Sequence, residues 1–181
     1  MIAKLVKTAL LTGIAYILQV TLAAHIAFDG VAPNLALAIL SVITVGMGRK
    51  YTFLSSVTIG YLIEVMMPNL DFFSIILYPV SAMAGALIFA DKSERKLEED
   101  RTKGKRSLRL NAHIRTPLCT MLAVLVFEVT HLIYMNLSGV ALNLNMVKRA
   151  LIDIVYSGVA SGILQFPIRL WLGIYRIKKA H

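Results

Sequence analysis

The chain contains a single cysteine, Cys119, so an intramolecular disulfide is excluded, and no cluster of cysteine with histidine suggests a metal site. Charge is scarce and one-sided: 16% of residues are charged, with 19 bases against 10 acids. Catalytic signatures are missing too, with no H-E-x-x-H, P-loop or paired-aspartate motif. Val159-Ala160-Ser161-Gly162 lacks the leading glycine of an intramembrane serine protease motif, and the only histidine after it is His181. These absences point away from an enzyme and from any cofactor. Long hydrophilic stretches are also lacking, residues 91–115 being the one exception. No segment outside the apolar runs can bury a core of its own, so 1–181 reads as one domain.

What the chain does have is hydrophobic length. The apolar fraction is 57% and mean hydropathy is +0.72, which excludes a disordered or ordinary soluble chain. Six runs of 17 to 21 mostly apolar residues lie at 8–24, 31–48, 51–67, 72–90, 116–136 and 150–168. Each covers about 26 to 32 Å as a helix, close to the hydrocarbon thickness of a bilayer. They are too long and too unalternating for barrel strands, so an all-α bundle of six transmembrane helices is expected. The first run exceeds the apolar core of a usual signal peptide, so it reads as a retained helix.

The net charge of +9 is a topology signal before it is a nucleic-acid footprint. With the N-terminus in the cytoplasm, seventeen of the nineteen bases fall inside and only Lys148 and Arg149 outside, which predicts cytoplasmic termini. Within the 91–115 loop, bases alternate with Leu108, Leu110 and Ile114, a pattern suited to a solvated linker or to the anionic inner leaflet. Local chemistry predicts several helix ends. Pro33 suits the first turn of the second helix, Thr116-Pro117 the start of the fifth, and Asn69 or Asp71 a cap for the fourth. Favourable charge spacing carries the fourth helix onward to near Gly104. Pro79 and Pro167 predict kinks.

Ionisable groups in hydrocarbon are costly, so each needs a partner or a purpose. Glu64, Glu128 and Asp153 all fall in the outer half of the bilayer. His131 shares a helix face with Glu128, and Gln19 lies at similar height. Together they form a candidate outer polar pocket, readable as structural glue, a binding site or a proton relay. Ser56, Gly60 and Glu64 form one stripe; Asp153, Ser157, Ser161 and Gln165 form another that should face protein rather than lipid. Gly158 with Gly162, and Ser81 with Gly85, form candidate packing faces where helix backbones can approach, either within the bundle or against a partner's helix.

Several of these residues also carry a family resemblance. Gln19, Gly30 and Pro33-Asn34-Leu35 resemble the N-terminal half of the bacterial rod shape-determining MreD family. Gly60-Tyr61-Leu62-Ile63-Glu64, Leu77-Tyr78 with Gly85, and Pro167 before a basic tail are similar to its later segments. The chain departs from the family in carrying Glu64 where an aspartate is usual, and in its long charged loop. The resemblance implies a fold similar to the substrate-binding S components of energy-coupling-factor transporters. It also implies a scaffold in the bacterial inner membrane that binds the bitopic coiled-coil protein MreC. Through MreC it would connect to actin-like MreB and to the transpeptidase and glycosyltransferase of lateral-wall peptidoglycan synthesis. The other reading is a vitamin or small-molecule transporter component, with Glu64, Glu128, His131 and Asp153 around its substrate.

Overall fold

Segments this apolar can satisfy their own backbone groups only by coiling into helices. A computed structural model describes residues 2–66, 72–90 and 111–172. Among these are six α-helices: α1 (Ile2–Ile17), α2 (Leu35–Met47), α3 (Arg49–Met66), α4 (Phe73–Phe89), α5 (Ala112–Leu137) and α6 (Leu144–Leu172). A π-helical turn, Leu18–Leu22, continues α1. The only β-pairing among the described residues is one bridge between Phe28 and Val31. Lys4–Leu22, His113–Leu137 and Leu144–Leu172 are each long and apolar enough to cross a membrane.

The bundle is organised around α2. It packs against all five other helices, and every residue from Leu35 to Val45 is buried. A helix apolar on all sides belongs in an interior, and small side chains at Ala36, Ala38 and Ser41 let five neighbours close around it. Around this hub the usual polarity of a globular protein is reversed. On α6, Asp153, Ser157, Ser161, Gln165 and Arg169 are buried, while Leu151, Val155, Val159, Ile163 and Leu170 are exposed. Large apolar side chains dominate the outside of α1, α4 and α5 as well. Such a surface suits lipid and would be a liability in water.

Several helix ends differ from the sequence expectation. Pro33 precedes the helix: the N-cap of α2 is Asn34, whose Oδ1 accepts from Leu37 N at 3.0 Å. The approach to α2 is instead a tight hairpin, Phe28 and Val31 exchanging two 2.9 Å backbone hydrogen bonds across Asp29-Gly30. Both turn residues have positive φ, 52° and 72°, which an Asp-Gly pair tolerates. α5 begins at Ala112, so Thr116-Pro117 sits a turn inside the helix rather than at its start. α4 ends at Phe89 with Ala90 extended, and the expected continuation towards Gly104 lies outside the described residues. Asn69, Asp71 and the remainder of the 91–115 loop before Asn111 lie outside the described residues. At the opposite end from the hairpin, Gly48 alone joins α2 to α3, with φ of 94°.

Candidate functional site

The polar groups of the α2 N-terminal end, the end that the charge distribution assigns to the outside, are engaged with helix termini. A helix leaves its first amide groups without intrahelical acceptors. For a central helix those amides are buried, and unsatisfied they would cost about 1 to 3 kcal/mol each. Side chains from three helices supply the acceptors. Gln19 Oε1 accepts from Ala36 N at 3.0 Å, Asn34 Oδ1 from Leu37 N, and Ser157 Oγ from Asn34 N at 2.7 Å. Asp153 Oδ1 in turn accepts from Ser157 Oγ at 2.7 Å and from Asn34 N at 3.3 Å. The π-helical turn is what carries Gln19 to this position, because its wider coil shifts the register of the side chains at the end of α1.

Two further groups join this cap. Glu128 of α5, half-buried, faces the Asp153 carboxyl, whose Oδ1 accepts from Ser157 and Asn34. Two carboxyl groups so placed can bond each other once either carries a proton. Tyr78 of α4, buried, lies beside the Asn34 side chain and meets the Phe127 ring edge-on at 5.1 Å. The polar zone thus joins α1, α2, α4, α5 and α6. Sequence reasoning missed Asn34 and Tyr78 as its members.

Glu64 does a separate job. Buried on α3, it accepts from Phe72 N (Oε1, 3.0 Å) and Ser74 N (Oε2, 2.9 Å), so it caps α4. His131 is half-buried, its ring 6.4 Å from that of Phe127, and makes no hydrogen bond among the described residues. The expected pocket is therefore divided: Gln19, Glu128 and Asp153 meet around α2, Glu64 holds α4, and His131 joins neither.

The opposite end follows the same logic. Arg49 donates to the last carbonyls of α4, Nε to Ala86 O at 3.1 Å and Nη2 to Leu87 O at 2.9 Å. Pro117 has no N–H for the carbonyl of His113, and Gln165 Nε2 of α6 donates to that oxygen at 3.1 Å. Arg169, buried, donates to Thr116 Oγ1.

The small-residue faces are occupied inside the bundle. An added Cβ at Gly158 would meet Met121 Cγ at 2.7 Å, and one at Gly162 would meet Pro117 Cγ at 3.8 Å, so both face α5. At Gly85 it would meet the Cys119 carbonyl oxygen at 3.0 Å. Ser81 is buried, and its hydroxyl has no partner among the described residues. The Gly158–Gly162 face is therefore not an open groove for another protein's helix. Two larger grooves, of about 590 and 570 Å³, lie near the start of α6, and none of Gln19, Glu64, Glu128, His131 or Asp153 lines either. Among the described residues no group of three His, Cys, Asp or Glu could hold a metal ion. No family model, curated protein or solved structure matches this chain.

Proposed function

We propose that the protein is a non-enzymatic membrane scaffold of the MreD type, with six spanning helices and both termini in the bacterial cytoplasm. On this reading it binds MreC and helps organise lateral-wall peptidoglycan synthesis and cell shape. The residues that resemble that family supply the identity of the partner. The observation that carries the reading is the use made of the outer acids. Glu64 and Asp153 act as acceptors for buried helix amides, and Glu128 lies against Asp153. A transporter component needs such groups turned towards a substrate cavity. Here they hold the bundle together, as a docking platform requires.

Affinity purification of the full chain from its native host tests the reading. The expected result is recovery of a single-pass coiled-coil membrane protein, together with rounding of rod-shaped cells on depletion. Recovery of paired ATPases and a bound vitamin would replace the scaffold with a transporter component.

A further inference from the structure

Two grooves near the start of α6 share Lys148 and Ile152, and so form one continuous surface of two characters. The first, about 590 Å³, is apolar: Phe28, Leu151, Val155 and Val159 line it, and Tyr156 closes its side with its hydroxyl bonded to Ile26 O at 2.6 Å. The second, about 570 Å³, is polar, lined by Asn143, Asn145, Lys148 and Arg149, with Asp29 the one acid among them. Both are of the size that ligand sites usually have, about 300 to 1,000 Å³.

The charges make the polar recess unusual. Lys148 and Arg149 are the only two bases that the charge pattern of the sequence assigns to the outside. Both are exposed, and among the described residues neither makes a hydrogen bond or an ion pair. Structural bases elsewhere in the bundle, such as Arg49, are bonded to carbonyls. The recess carries two positive charges against one negative, directly above an apolar channel along a helix long enough to cross a membrane.

We propose that this surface binds one anionic phospholipid of the outer leaflet, its phosphate held by Lys148 and Arg149 and an acyl chain laid along Leu151, Val155 and Val159. Charge complementarity selects the headgroup, and continuity with the apolar groove selects a chain-bearing molecule over a free phosphate. The inference needs α6 to lie in a bilayer and does not depend on the scaffold role.

The chain has one tryptophan, Trp171, at the far end of α6, so a reporter can be moved into the groove. The full-length double variant Trp171→Phe, Phe28→Trp is reconstituted in vesicles containing brominated-chain phosphatidylglycerol or phosphatidylcholine with identical chains. The phosphatidylglycerol is expected to quench the relocated indole at a mole fraction lower by about tenfold, given two cations near the headgroup. Adding Lys148→Gln and Arg149→Gln removes that preference. The other seventeen bases remain in both proteins, so general attraction to anionic lipid cancels. Equal quenching by the two lipids, or a preference that survives the charge removal, overturns the proposal. Quenching by neither also overturns it: a doubled particle mass then means a second copy covers the groove, and an unchanged mass means that α6 lies outside the bilayer here.

Discussion

Arg49 and Glu64, at opposite ends of α3, grip opposite ends of α4. The guanidinium of Arg49 takes the carbonyls of Ala86 and Leu87, and the carboxylate of Glu64 takes the amides of Phe72 and Ser74. Each charge complements the helix dipole at the end it meets. Since the two helices run antiparallel, a cation at the start of one and an anion near its finish are correctly placed for the other. Glu64, the buried one of the two, needs no ligand to justify its burial.

Replacing Glu64 tests that account. Glu64→Ala leaves two amides without acceptors and should cost about 2 to 4 kcal/mol, whereas Glu64→Gln keeps one acceptor and should cost about half. Thermal unfolding in detergent gives the ranking, and amide exchange at Phe72 and Ser74 should quicken in the alanine variant. Equal stability of all three proteins would remove Glu64 as a cap.

The glycines make a contrast within one residue type. A Cβ at Gly60 would stand 2.6 Å from Ser74 O and 3.0 Å from Ile75 Cα, both backbone atoms that cannot swing away. Gly60→Ala should therefore force α3 and α4 apart and destabilise the bundle by about 1 to 3 kcal/mol. At Gly162 the nearest atom is 3.8 Å away, an ordinary contact, and Gly162→Ala should be neutral or slightly stabilising, up to about 1 kcal/mol. The reverse order would show that the α3–α4 spacing is wrong.

Gln165 and Pro117 should be coupled. Gln165→Leu removes a donor to the His113 carbonyl and should cost about 1 to 2 kcal/mol. With Pro117→Ala an N–H returns to that carbonyl, and the same glutamine change should then cost measurably less. A double-mutant cycle on unfolding midpoints reads the coupling, and strict additivity would sink it.

Glu128→Gln should leave stability within about 0.5 kcal/mol, since the amide donates to Asp153 without needing a proton. Glu128→Leu removes the polar partner of a buried carboxyl group and should lower the unfolding temperature. If the leucine variant matches the parent, the two carboxyl groups do not depend on each other.

Orientation follows from labelling in a Cys119→Ser background. Ala141→Cys, exposed before α6, should react with a membrane-impermeant maleimide added outside intact cells, and Lys50→Cys, exposed at the start of α3, only after lysis. The opposite pattern would invert the topology and overturn the cytoplasmic assignment of both termini.

Some of the site was legible in the residues and some was not. The buried stripe from Asp153 to Gln165 could be read from spacing alone, because polar groups at i,i+4 share one helix face. Arg169, buried one turn further on, extends the stripe, although a base so near the helix end reads equally well as a topology signal. The Asp29-Gly30 hairpin carries a recognisable turn signal in its dipeptide. The division of Glu64 from Asp153 had no such signal, for an acid at a given depth shows no preference for one helix terminus over another. The π-helical turn that places Gln19 was likewise invisible, since nothing in Leu18–Leu22 distinguishes it from α-helical residues.

The residues by themselves determined that the chain is helical, rich in segments of membrane-crossing length, and sparing of charge within them. Those features follow from the cost of exposing backbone or charge to hydrocarbon, which each segment meets on its own. Only the tertiary structure decided that α2 is the hub and that the acids are caps. Lipid tails and protein interiors are nearly equal solvents for Leu, Ile and Val. Hydrophobicity therefore cannot say which helix lies in the middle, and long-range packing alone determines which side chains reach its buried amides.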